Sequence, residues 1–272
     1  MASKNLNLEK RCFYVLSGVS NPLGKSLAIE MCRRFKPGSL ALFIDSSQDS
    51  LQAVKKEVKH LENEIEVVLG CIEDCRTTNA TMFSEMLESA LSNYNDQLHF
   101  ELAFIIHNEG TGATNDLVEP QEQEQWISYV QENLYAAVSL NQQFLKLALF
   151  DGIKKLCVNV TSSLQVHPLL FSSVKCSCKN ARDMYFRSMA DGEGSAKNIA
   201  VMSYSPGIME THVATMDANN NAIDVVDFDL DERLLKMPRV TPLQSTLKLI
   251  NILEKMSFCS GHDVDYYDTY NL

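Results

Sequence analysis

The sequence predicts a doubly wound α/β fold, a parallel sheet of about seven strands with helices on both faces. Three observations lead there. Short apolar runs alternate with longer stretches whose apolar residues recur at helical spacing. The first run opens into a glycine-bearing turn, and the second ends in an acidic residue. Strands that alternate with helices of this length are joined by right-handed crossovers, which make a parallel sheet.

Cys12 to Ser17 is the first apolar run, and Gly18 begins the turn after it. From Gly24 a helical stripe carries Leu27, Ala28, Met31 and Phe35, until Lys36-Pro37-Gly38 stops it. Leu40–Ile44 reads as the second strand, ending in Asp45; a helix bearing Leu51, Val54, Val58 and Leu61 follows, then a strand from Ile65 to Cys71. A helix over Asn79–Leu91 precedes the fourth strand, Leu102–Ile106. The segment Gln121–Phe150 reads as one long helix, and Lys155–Val160 as the fifth strand. Lys175–Met189 is helical, Ile199–Ser203 a sixth strand, Pro242–Met256 the last helix and His262–Asp265 a short final strand.

No linker rich in Pro, Gly or Ser divides the chain, so residues 1–272 are expected to form a single Rossmann-type domain. The acidic, aperiodic stretch from 217 is expected to be a loop on the substrate side, reaching about residue 240. A net charge of −11 argues against nucleic acid or an anionic membrane as partner. No run approaches the ~18 apolar residues of a membrane span, and the polar N-terminus lacks a signal peptide's apolar run. Eight scattered cysteines suit reduced thiols, so a cytoplasmic location is expected. Cys71-x3-Cys75 and Cys176-x-Cys178 lack zinc spacing and neighbouring histidines, so no metal site is expected.

The turn Gly18-Val19-Ser20-Asn21-Pro22-Leu23-Gly24 lies where this fold binds dinucleotide phosphates. Glycines there let the backbone approach a pyrophosphate, and the helix N-terminus attracts its charge. Pro22 stands where a middle glycine would serve; it starts a helix well but removes one N–H. The turn therefore reads either as a phosphate site or as a plain helix start. At the end of the second strand, Asp45-Ser46-Ser47 contains no arginine. Asp45 would hydrogen-bond the 2′-hydroxyl of NAD(H) and repel the 2′-phosphate of NADP(H), or simply end the strand.

Taken together these features resemble the short-chain dehydrogenase/reductase family, and within it the sepiapterin reductase group. The resemblance is carried by Pro37-Gly38-Ser39, Val158-Asn159-Val160-x-Ser162-Ser163 and Lys179-x-Ala181-Arg182-Asp183-Met184. Tyr204-x-Pro206-Gly207-x3-Thr211 and the tail Ser260-Gly261-x2-Val264-Asp265-Tyr266-Tyr267-Asp268 complete it. It implies reduction of a pterin side-chain carbonyl on the way to tetrahydrobiopterin, NADP(H) as cofactor (NAD(H) being the alternative that Asp45 favours) and a homodimer. It also implies site residues. Ser162 and Ser163 would hold the substrate carbonyl, Lys179 the nicotinamide ribose and Asn133 a proton-relay water. Gly207 and Asp265 would contact the pterin, and Glu73, Asp74, Asn108, Met209 and Thr211 would line the cofactor.

The family's proton-donating tyrosine falls on Lys175, thirteen residues after Ser162. No tyrosine in the chain has a lysine four residues later, so no shift of register restores the Tyr-x3-Lys pair. His107-Asn108-Glu109-Gly110 replaces the family's Asn-Asn-Ala-Gly. Lys175 and Lys179 are one helical turn apart, and two close ammonium groups depress at least one pKa. Such a lysine could protonate an alkoxide if its stem were held; otherwise it is merely solvated. Two functions follow: a sepiapterin reductase-type enzyme with weakened catalysis, or a non-catalytic relative that binds a pterin, a nucleotide or a partner.

Overall fold

The computed structural model describes residues 6–92, 99–109, 122–161, 173–191, 198–209, 215–216, 222–223 and 237–268. Seven parallel strands form one sheet in the order β3-β2-β1-β4-β5-β6-β9. They are β1 (Cys12–Ser17), β2 (Leu40–Asp45), β3 (Glu66–Cys71), β4 (Leu102–His107), β5 (Lys154–Val160), β6 (Ile199–Ser205) and β9 (His262–Asp265). Two-residue strands β7 (Thr215–Met216) and β8 (Ala222–Ile223) pair antiparallel outside it. The helices are α1 (Pro22–Cys32), α2 (Gln48–Lys59), α3 (Ala80–Leu91), α4 (Gln123–Val130), α5 (Ala136–Lys146), α6 (Ser173–Met189) and α7 (Pro242–Lys255).

β1, β2 and β4 are buried along their whole lengths because helices cover both faces of the sheet. Alternation within a strand divides the core. Cys12, Tyr14 and Leu16 pack with Leu27 and Met31 of α1, Val54 of α2 and Leu249 of α7. Phe13 and Val15 face the other way, toward Phe83 of α3, Phe144 of α5 and Phe186 of α6. Leaving β1, the chain builds β2 and β3 to one side and β4 onward to the other. Strand order therefore reverses between β1 and β4, and the crevice at their carboxyl ends is where such sheets hold ligands.

One expectation needs correction. The 121–150 segment is not one helix. α4 passes into a π-turn at Gln131–Tyr135, α5 ends at Lys146, and a 3₁₀ turn covers Ala148–Phe150. A π-turn inserts one extra residue per turn, so the apolar stripes of α4 and α5 fall out of phase. The aperiodic segment after 217 contains β8, which pairs with β7; the rest of that segment lies outside the described residues. Among the described residues no helix is long and apolar enough to cross a membrane. None of their His, Cys, Asp and Glu side chains forms a cluster of three able to hold a metal ion.

Candidate active site

The turn after β1 is built by its own side chains. Gly18 takes φ +80°, the left-handed region that glycine enters without strain. A Cβ on Gly24 would lie 1.9 Å from the Gly18 carbonyl oxygen, so the turn closes only with glycine there. Asn21 caps α1, its Oδ1 accepting from Gly24 N–H at 2.8 Å, and Pro22 fills the first helical position. Asn108, just past β4, donates from Nδ2 to Gly18 O at 2.7 Å and to Asn21 Oδ1 at 3.2 Å. This amide ties the ends of β1 and β4 together.

Asp45, at the end of β2, is buried against the same turn. Its Oδ2 accepts from Ser20 N–H at 2.8 Å and its Oδ1 from Ser47 N–H at 3.1 Å. Ser47 caps α2 through Ser50 N–H. Both oxygens keep lone pairs for a hydroxyl, but no cation stands among these contacts to receive a 2′-phosphate. A cleft of about 430 Å³ opens beside Asp45, lined by Gly18, Ser20, Asn21 and Ser46 on one side and by Glu109, Glu132 and Asn133 on the other. Ile44, Ile72, Phe83 and Leu140 supply its apolar walls. Asn133 lies in the π-turn, its side chain turned back to donate to Tyr129 O at 3.0 Å. π-turns of this kind recur at functional sites.

Beneath the cleft lies Arg182, a fully buried guanidinium on α6. Its Nε donates to Asn159 Oδ1 at 2.7 Å, Nη1 to the carbonyls of Glu109 (3.3 Å) and Asn133 (3.5 Å), and Nη2 to those of His107 (3.2 Å) and Val160 (3.3 Å). Its charge faces Glu109 Oε2 at 3.7 Å. Lys179, one turn earlier, is also buried and donates from Nζ to Glu109 O at 3.2 Å. One helix thereby gathers the ends of β4 and β5 and the π-turn around the cleft. His107 sits in the same layer, fully buried, with Nε2 3.3 Å from Asn141 Oδ1. Burial drives its pKa down to about 4, with Arg182 adding to the drop and Glu109 opposing it, so the ring is neutral.

Several expected site residues lie elsewhere. Asp74 caps a 3₁₀ turn and pairs with Arg76 at 2.8 Å, whose hydrogen bonds hold its carboxyl below the usual carboxylate range. Neither Asp74 nor Glu73 lines the cleft. Gly207 and Met209 meet Val240 instead, Met209 through a β-bridge. Asp265 ends β9, with Oδ1 accepting from Tyr267 N–H at 2.9 Å. Lys175 is in the first turn of α6 by its backbone, whereas Ser162, Ser163 and Thr211 lie outside the described residues. Sequence reasoning overlooked Arg182 as an organiser, although it interrupts the buried Cys178–Phe186 stripe with a charge four residues from each. It also overlooked Glu132, for which an exposed-looking acidic helix gave no signal.

A doubly wound sheet with its cleft at the reversal point, a glycine turn pinned by Asn108 and a lysine-bearing helix over β5 define a short-chain dehydrogenase/reductase frame. The chain belongs to that family: the profile for short chain dehydrogenase matches residues 14–222. The chain is 28% identical over 257 residues to sepiapterin reductase from Xenopus laevis, covering 93% of this chain and 95% of that one. It is 28% identical over 267 residues to the rat (Rattus norvegicus) enzyme of that name, with the same coverage. Benzil reductase from Bacillus subtilis is 26% identical over 251 residues, covering 89% of this chain and 93% of that one. Among solved structures, a short chain dehydrogenase from Bacillus anthracis has TM-score 0.70 at 15% identity, covering 96% of each chain. One from Shigella flexneri, complexed with NADP, has TM-score 0.69 at 18% identity, covering 96% of this chain and 99% of that one. These relationships support an oxidoreductase of this family and a nucleotide cofactor.

Proposed function

We propose that the chain is a sepiapterin reductase-like protein of tetrahydrobiopterin metabolism in which carbonyl reduction is weak or lost. One observation carries the reading: Lys175 stands where the family's proton-donating tyrosine belongs. Carbonyl reduction needs a hydride, which a bound dinucleotide supplies, and a proton for the developing alkoxide. A positioned acid contributes ~10²–10⁴ in rate. No tyrosine is among the described residues that line the cleft. Tyr185, on the same helix, has its hydroxyl 3.4 Å from the Asn141 amide on the α5 side.

In this reading Lys179 holds the nicotinamide ribose, Asn133 a proton-relay water, Ser162 and Ser163 the carbonyl, and Gly207 and Asp265 the pterin. Asp45 favours a ribose with a free 2′-hydroxyl, NAD(H) over NADP(H). The whole of 1–272 acts as one cytoplasmic domain in a homodimer, with 217–240 on the substrate side. The second reading, a ligand-binding relative without turnover, is favoured by Pro22 and by the three carboxylates Asp45, Glu109 and Glu132 around the cleft. Oxidation of NADPH or NADH by the purified chain with sepiapterin tests both. We expect a rate at least ~10²-fold below a tyrosine-bearing family member, from the missing acid. A family-like rate would sink the proposal.

A further inference from the structure

The charge of the cleft is wrong for a polyphosphate. Asp45, Glu109 and Glu132 all line it, and among the described residues no lysine or arginine does. Two described cations near it are engaged: Lys179 bonds the Glu109 carbonyl, and Arg182 lies buried beneath it among carbonyl oxygens. Three amides of the turn are engaged as well. Gly18 N–H donates to Ile44 O, Ser20 N–H to Asp45 and Gly24 N–H to Asn21, while Pro22 has none.

Two further observations mark the cleft as a place for a ligand rather than a solvated acidic patch. Its walls are apolar, from Ile44, Ile72, Phe83 and Leu140. Glu109 Oε2 is buried with no hydrogen-bond partner among the described residues, and fully buried His107 points an equally unpartnered Nδ1 at it from 4.0 Å. The Cys75 thiol on the same wall reports the field: burial first, then Glu132, Glu109, Asp74 and Asp45, raise its pKa.

We infer that this cleft takes an uncharged or cationic heteroaromatic ligand, a nucleoside being the simplest, and that each phosphate on a ligand weakens binding. The inference rests on the cleft being the ligand site of the fold, and it reverses the usual contribution of phosphate to such a site. A flat ring would lie between the apolar walls.

Calorimetric titration of the full chain with adenosine, 5′-AMP, NAD⁺ and NADP⁺ tests it. Adenosine should bind tightest and NADP⁺ weakest, by roughly tenfold or more. Added salt should strengthen NADP⁺ binding, because it screens repulsion between like charges. Glu132→Gln, outside the Arg182 network, should tighten NADP⁺ several-fold relative to adenosine. If that variant does not fold, the salt series on the native chain decides. NADP⁺ binding tighter than adenosine, affinity for NADP⁺ that falls with salt, or no binding of any of the four would each overturn the inference. The missing-acid proposal fails separately, through a family-like rate of turnover.

Discussion

Arg182 shows how a single side chain can organise a ligand site without lining it. Its guanidinium is buried, so its charge is tolerated only because Glu109 and four carbonyls surround it. Replacing it with methionine strips those acceptors of their donor and should cost about 3–5 kcal/mol, the range for breaking a buried ion pair. Arg182→Lys keeps the charge but not the planar fork, so it should recover only part of that loss. Chemical denaturation of the two variants measures both; equal stability of Arg182→Met and the native chain would contradict the role. His107 makes a second prediction. Its pKa is held at about 4 in the folded state against about 6.5 unfolded, so the unfolded state binds the proton first as pH falls. Stability from the neutral ring is complete above about pH 6.5 and is lost between there and pH 4, up to ~3 kcal/mol. In His107→Asn that loss should disappear, read as the difference between the two stability–pH curves.

At the scale of elements, most of the sheet was legible because burial on both faces leaves continuous apolar runs, and those runs need little else to be read. β1, the final strand and α3 fall within a residue of their sequence-based limits. α7 has its start written in Thr241-Pro242-x-Gln244, a capping box with proline at the first position, and its end in Met256 at φ +48°. The π-turn was not legible. Periodicity reports the presence of a helix, whereas one extra residue in a turn is set by how α4 and α5 pack on α3 and α6. The site was half legible for a similar reason. Gly18, Asn21, Gly24 and Asp45 announce themselves by position along the chain, but the convergence of Glu109, Glu132 and Arg182 exists only once the strands are assembled. Gly24→Ala tests the turn: its Cβ meets a backbone carbonyl at 1.9 Å, not a flexible side chain, so α1 must move. The loss should exceed the ~1 kcal/mol typical of point changes. A melting temperature unchanged by that substitution would show that the turn is looser than described.

Across the whole molecule, the sheet, the cleft at the β1/β4 reversal and the lysine on α6 match a short-chain dehydrogenase frame, while four departures from the family's site motifs fall at one end of it. Pro22, His107, Glu109 and Lys175 all lie at or next to the carboxyl ends of the strands or in the helices that start there. The core beneath them is closely packed, with Phe13 stacked on Phe144 and Phe150. The most direct measurement is sepiapterin reduction by the native chain beside Lys175→Tyr, followed by loss of reduced-nicotinamide absorbance with cofactor binding measured in parallel. The account predicts negligible turnover by the native chain and a gain of at least ~10²-fold in the variant, the contribution of a restored acid. A native rate equal to that of tyrosine-bearing relatives, or a variant that binds cofactor and gains nothing, would contradict it.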